Sequence, residues 1–381
     1  MRLSPPEHEN DRPCLDPTRA AGGELLELGM NAGTKINDTR KAELLSSPVE
    51  HIDITKFDAR PIVEAMGKMS FTSRDLSRAT GIYNQMLEDP NCSVILVVAG
   101  STSAGGCMDL YAELVRSNMV DAIVATGATI VDMDFFEALG HRHFQANEIP
   151  DDDTLRSLYI DRIYDTYIDE EQLQDTDFTI GRIADGLEPR PYSSRAFIRE
   201  MGKWLSEGNS KKDNSLVKLA YEHDVPIFCP AFTDSSAGFG LVKHQVDAMK
   251  RGGHYMTLDS IADFRELTDI KIKAGTTGLL MIGGGVPKNF AQDTVVCAEI
   301  LGHEDVEVHK YAVQITVADV RDGACSSSTL QEAASWGKVS TAMEQMVFAE
   351  ATSVLPLLAS DAWHRGAWRN REKRRFAKLF D

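Results

Sequence analysis

The chain has 381 residues, of which 43% are apolar and 26% charged, the usage of a globular protein and not of a disordered or fibrous one. At about 150 residues per domain this length allows roughly two to three units, or one large α/β domain. With 40 Lys+Arg against 58 Asp+Glu the net charge is −18, which excludes nucleic-acid binding through general phosphate neutralisation and leaves room for a small cationic partner.

In chain order, residues 1–22 are rich in Pro, Arg, acids and Gly and read as a mobile arm. Residues 23–90 carry helical patterns, with apolar residues at helix spacing over Asp75–Leu87. The character then changes. Ser93–Ala99 is a continuous β-branched run that ends in Gly100-Ser101-Thr102-Ser103-Ala104-Gly105-Gly106, and a helical stretch, Met108–Asn118, follows. Met119–Ala125 ends in Thr126-Gly127-Ala128-Thr129. After a long insertion (135–222) come Val225–Phe232 into Thr233-Asp234-Ser235-Ser236, Gly278–Ile282 into Gly283-Gly284-Gly285, Tyr311–Val317 into Ala318-Asp319, and Val347–Ala349 into Glu350.

Short strands apolar on both faces, separated by helices, describe a doubly wound, mostly parallel α/β sheet over residues 91–360, with a basic tail at 361–381. Small, polar or glycine residues follow nearly every strand. Ligands of open α/β sheets bind beyond the strands' carboxyl ends, and helix N-termini there favour phosphates, so a nucleotide or dinucleotide is expected, although no loop matches GxGxxG. Tight turns are the alternative use of these glycines.

Six cysteines (Cys14, Cys92, Cys107, Cys229, Cys297, Cys325) without CxxC spacing read as reduced thiols. No apolar h-region opens the sequence, and Val94–Ala99 is far short of the ~20 residues of a membrane helix. A cytoplasmic protein with no membrane partner is expected. The acidic clusters at Asp151–Asp153 and Asp165–Asp177 read as a solvated face or a polyamine-attracting rim. The basic tail, with Trp363, Trp368 and Phe376, reads as an amphipathic closing helix or partner contact in preference to a nucleic-acid patch. His141-x-His143, near Asp132 and Asp134, has metal-donor chemistry but no third cluster at ligand spacing, so no metal is assigned.

One lysine stands apart. Lys338 follows Trp336-Gly337 just after a strand-end loop, where an indole wall and partial desolvation suit an imine-forming amine.

SNMVD (Ser117–Asp121), PAFTDSS (Pro230–Ser236), IGGG (Ile282–Gly285) and EAASWGK (Glu332–Lys338) resemble deoxyhypusine synthase, in that family's motif order, over about residues 65–360. The resemblance implies a Rossmann-like NAD-binding fold, assembled as a homotetramer with NAD and polyamine at a dimer interface. NAD would oxidise spermidine, and the aminobutyl group would pass through a lysine imine to an acceptor. A protein lysine would give deoxyhypusine, and a free diamine homospermidine. The imine-forming lysine corresponds to Lys338, with Trp336 beside the alkylamine and Glu332 pairing an amine. Gly100, Ser101, Thr102, Ser103, Ala104, Thr126, Gly127, Ala128, Asp132, Asp234, Gly284, Val317, Ala318, Glu350 and Ala351 fall on positions that hold NAD.

Three positions depart from the family pattern. Phe239 and Cys325 replace polyamine-binding aspartates, and Asn289 replaces a histidine associated with proton transfer. The NAD half and the covalent lysine are retained while the polyamine half is rewritten, a pattern that fits the deoxyhypusine synthase-like branch. The alternative is a non-catalytic NAD- or polyamine-binding protein that kept the fold; an NAD-consuming deacylase ranks last for want of a histidine after a glycine-rich loop.

Overall fold

The computed structural model describes residues 38–381, the side chain of Cys325 excepted. The arm assigned to residues 1–22, and residues 23–37 of the helical segment, lie outside that range. Six strands form the central sheet: β1 (Ser93–Val98), β2 (Ala122–Ala125), β3 (Ile227–Phe228), β4 (Thr277–Ile282), β5 (Tyr311–Thr316) and β6 (Glu344–Phe348). Their order is β3-β2-β1-β4-β5-β6, and every pairing is parallel. The chain runs outward from β1 on one side and returns beside β1 to run outward on the other. This reversal opens a crevice at the carboxyl ends of β1 and β4.

Burial explains the composition of these strands. All six residues of β1 and all six of β4 are buried, because helices cover both faces and no position needs to meet water. Val94, Leu96 and Val98 enter one core with residues of α1 (Phe71–Glu88), α2 (Met108–Arg116) and α8 (Ala351–Arg365). Ile95 and Val97 enter a second core, with residues of α5 (Ser260–Ala274), α6 (Gly285–Gln292) and α7 (Leu330–Ser335). The third strand is much shorter than Val225–Phe232. Pro226 and Pro230 flank it, and proline cannot donate to a ladder.

Ahead of the sheet, helices occupy 38–44 and Arg60–Met66 before α1. The insertion between β2 and β3 carries α3 (Glu170–Asp185) and a three-stranded antiparallel sheet in which Thr166–Asp169 lies between Phe144–Gln145 and Ile160–Ile163. α4 (Ser236–Lys250) packs on α3. The acids of these runs are largely exposed, as a solvated face requires, with Asp169 the buried exception. Asp151 caps its helix by accepting the Thr154 N–H at 2.9 Å, and buried Asp169 caps α3 while pairing with Lys41 at 2.8 Å.

Buried Glu137 fastens the insertion to the segment before α1. It accepts His51 Nε2 at 2.7 Å, His143 Nδ1 at 2.8 Å and Lys212 Nζ at 2.6 Å. Burial pushes its carboxyl up, but His143, His51 and Lys212 together hold it well below the usual carboxylate range. Of the histidines weighed as metal donors, His143 serves Glu137 and His141 faces Asp175 at 3.4 Å. Of the basic tail, read as an amphipathic closing helix or partner contact, residues 361–365 complete α8 and the rest carries two short 3₁₀ turns, Ala367–Asn370 and Phe376–Phe380. Arg371 enters the protein and pairs with Asp121 at 2.6 Å.

Candidate active site

The small residues after the strands converge at the carboxyl end of the sheet. Ala99 N donates to Ile282 O at 2.9 Å and Gly283 N to Ile315 O at 2.8 Å, so the loops after β1 and β4 leave the sheet side by side. Gly284 sits where a Cβ would lie 2.5 Å from Ser326 Cα, so only glycine lets the loop after β5 close over it. Gly100 has φ 97° and open space where its Cβ would be, which leaves the backbone approachable by a ligand.

Hydroxyls brace these turns. Thr129 Oγ1 donates to Gly100 O at 3.1 Å, and Thr102 Oγ1 meets the Tyr111 hydroxyl at 2.6 Å. Ser103 is fully buried with its hydroxyl on Met133 Sδ at 2.8 Å, so it supports the loop from beneath. Val317 is exposed, and Ala318 N is held by Thr316 Oγ1 at 3.1 Å.

Two acids sit at the start of α4. Asp132 Oδ1 accepts the Ser236 N–H at 2.8 Å, and Asp234 is exposed just ahead of Ser235, the N-cap residue of that helix. Burial drives the Asp132 carboxyl up to about 7; the Ser236 N–H opposes this, and Asp177 and Asp234 nearby reinforce it. Glu350 caps α8, accepting the N–H groups of Thr352 at 2.9 Å and Ser353 at 3.0 Å. Burial raises its carboxyl but these bonds, with the two hydroxyls, hold it below its ordinary value. Beside it Ser101, Thr102 and Gly105 wall a cleft of 710 Å³.

Lys338 lies elsewhere. Its carbonyl accepts the His309 N–H at 2.9 Å, which puts it ahead of β5, at the amino end of the sheet. Six strand residues, about 20 Å at roughly 3.3 Å each, separate that end from the loops just described. Faces differ too: Leu330, Ala333 and Val339, which flank the lysine, pack in the second core, whereas Ala104 and the α8 residues pack in the first. One chain therefore does not bring Lys338 to the strand-end cleft.

The lysine has its own surroundings. Its Nζ is 2.5 Å from Asp293 Oδ1, and it stands 5.4 Å from the centre of the Trp336 ring, which is 72% exposed. Gly337 makes the turn between them at φ 69°. Glu332 closes a capping box on α7: its backbone N–H donates to Thr329 Oγ1 at 3.0 Å and its carboxylate accepts the Thr329 N–H. Asn289 is half-buried on α6, four residues from Asp293 and so on its side of that helix. Phe239 is 72% exposed on α4, at the far edge of the sheet from Lys338.

Sequence reasoning missed Asp293, which no spacing ties to Lys338, and fully buried Lys288, whose Nζ donates to Ser328 O at 2.5 Å and pins the loop before α7. Of the insertion residues that face Ser101 across the cleft, only Asp165 and Thr166 lie in a run the sequence singles out, because a 135–222 excursion hides which of its loops returns to the sheet.

The deoxyhypusine synthase family profile matches residues 61–362. A deoxyhypusine synthase-like protein of Coxiella burnetii is 73% identical over 340 residues, 89% of this chain and 96% of its own length. That of Caulobacter vibrioides is 67% identical over 351 residues, 92% of this chain and 95% of its own. A crystal structure assigned as a deoxyhypusine synthase of Entamoeba histolytica shares the fold at TM-score 0.55 and 19% identity, covering 83% of this chain and 97% of that one. The chain belongs to the deoxyhypusine synthase family.

Proposed function

We propose that this protein is an NAD-dependent alkylamine transferase that works through an imine on Lys338. The observation that carries the reading is the setting of that amine: 16% exposed, against the Trp336 face and paired with a carboxylate. NAD fits the strand-end loops. The order β3-β2-β1-β4-β5-β6 is that of doubly wound, Rossmann-like dinucleotide sheets, and the approachable backbone at Gly100 suits a pyrophosphate. Bound there, NAD supplies a hydride acceptor. Family membership supports a polyamine such as spermidine as the donor, and the net charge of −18 favours the approach of a polycation.

In this reading oxidation of the polyamine's secondary amine, with release of a proton, gives a C=N bond. The neutral Lys338 amine adds to that carbon and 1,3-diaminopropane leaves, so one imine replaces another. An acceptor amine then displaces Lys338, and return of the hydride with a proton gives the saturated product. The acceptor is a protein lysine or a free diamine.

Lys338 and the dinucleotide loops lie at opposite ends of the sheet, so the working site is composite: the lysine of one copy serves the loops of a second, within a homo-oligomer such as a tetramer. Incubation with NAD and labelled spermidine or putrescine, borohydride trapping and peptide mapping test this. A label on Lys338 is expected. NAD binding with no NADH formed and no adduct from either amine would favour the binding-only reading.

A further inference from the structure

The cleft beside Ser101 and Glu350 has a second wall made by the insertion. Strands Ile160–Ile163 and Thr166–Asp169 pair with Ile163 opposite Thr166, so Tyr164 and Asp165 form a two-residue hairpin tip. Tyr164 has φ 52°, a conformation that such turns ordinarily give to glycine or asparagine and that is unfavourable for an aromatic residue. The residue is also 81% exposed. Packing does not account for a strained aromatic side chain held in water at the mouth of a cavity.

The wall is firmly placed. Ala146 N donates to Asp165 O at 2.8 Å, Gln145 N to Ser47 O at 2.7 Å, and Asn147 Nδ2 to Ser47 Oγ at 2.7 Å. Gln145, Asn147, Tyr164 and Asp165 line the same 710 Å³ space as the loop after β1, a size usual for small-ligand sites. Asp165 makes no ion pair among the described residues.

We propose that this hairpin tip is the adenosine subsite of the dinucleotide cleft. The Tyr164 ring stacks on the adenine, Gln145 or Asn147 reads its edge through the amide, and Asp165 accepts hydrogen bonds from the ribose hydroxyls. The residue types decide for a nucleoside over a polyamine: an aromatic face and two amides match a base. Glu350 at the opposite wall already spends its oxygens on α8. This assignment rests on the reading of the strand-end loops as a dinucleotide site and adds the residues that select its adenosine half.

The test is calorimetric binding of NAD, ADP-ribose and nicotinamide mononucleotide to the full chain and to Tyr164→Ala, Tyr164→Phe and Tyr164→Gly. Tyr164→Ala is expected to bind NAD and ADP-ribose at least about tenfold more weakly, with mononucleotide affinity unchanged and Tyr164→Phe close to the parent. Tyr164→Gly should melt higher than the parent, since glycine suits the positive φ, while losing the same affinity. ADP-ribose binding unchanged in Tyr164→Ala, or equal losses for ADP-ribose and the mononucleotide, would overturn the subsite while the dinucleotide reading stands. A parent protein that binds none of the three overturns both.

Discussion

Lys338 and Asp293 form an ion pair at 2.5 Å between the turn after α7 and the end of α6. Because α6 starts at the glycine loop after β4 and ends at Asp293, one helix connects the strand-end loops to the lysine's partner. In the proposed mechanism this carboxylate is the group placed to take the proton that the Lys338 ammonium loses before it attacks a carbon. Asp293→Asn keeps the shape and removes that proton acceptor. Trapping at Lys338 should slow on the order of 100-fold, with NAD affinity unchanged. Trapping at the parent rate would reduce Asp293 to a simple anchor.

The separation of Lys338 from the strand-end loops makes complementation the decisive test of a composite site. Lys338→Ala removes the proposed nucleophile. Gly100→Asp puts a carboxylate where a pyrophosphate is expected, in open space and at a φ that aspartate tolerates better than most residues. Each variant alone should be inactive. Mixed under conditions that let subunits exchange, they should regain activity, because some assemblies then pair an intact lysine with intact loops. Lack of recovery despite proven exchange would place the whole reaction within one chain.

Glu332 has both a structural and a proposed functional use, and two substitutions separate them. Glutamine can still serve the capping box with Thr329, so Glu332→Gln should lose polyamine affinity with little change in stability. Glu332→Ala should also lose roughly 0.5–2 kcal/mol of stability, measured by denaturant unfolding. Equal polyamine affinity in the parent and Glu332→Gln would confine the residue to helix capping.

Much of the fold is legible in the sequence because the parallel sheet is buried on both faces. Runs such as Ser93–Val98 and Thr277–Ile282 need no periodicity to be recognised. The third strand fails that test, since Ile227–Phe228 alone lies between prolines and its neighbours give a longer apolar run than the ladder can use. The strand-end residues are legible as a set, because small, polar or glycine residues after nearly every strand mark one edge of the sheet. That Lys338 sits at the opposite edge was not, since the sequence places it after a strand-end loop and conceals the turns that carry it back to His309. Ser103 and Glu350 show a further limit: residue type suggested contact with a ligand, but the side chains brace the loops that would make it.

Stability should depend on pH through Asp132. Folding raises its carboxyl from the ordinary 3.8 to about 7, so between those values the unfolded chain has released a proton that the folded one retains. The contribution is therefore fully present below about pH 4 and is lost as pH rises towards 7. Asp134 and Asp263, both raised to about 6 by burial, act in the same direction. Asp132→Asn should flatten the fall in melting temperature across this range. An unchanged slope would mean that water reaches the carboxylate in the folded protein.

Arg371 and Asp121 make the strongest structural claim on the basic tail. Both side chains are buried, at 5% and 1% exposure, and the guanidinium also donates to Asn118 O at 2.5 Å and Cys92 O at 3.2 Å. Asp121 ends the SNMVD run, whose Asn118 returns a bond to Arg371 O at 3.0 Å and whose Ser117 meets Trp363 Nε1 at 3.1 Å. That motif thus serves as the socket in which the tail locks across the amino ends of β1 and β2. Burial alone would push the Asp121 carboxyl up, and Arg371 opposes it. Arg371→Met should cost about 3–5 kcal/mol, because it leaves a buried carboxylate unpaired. Adding Asp121→Asn should restore part of that loss, which a double-mutant cycle in denaturant measures. A loss below 1 kcal/mol in the single variant, on the scale of an exposed ion pair, would show that the tail is not locked in solution.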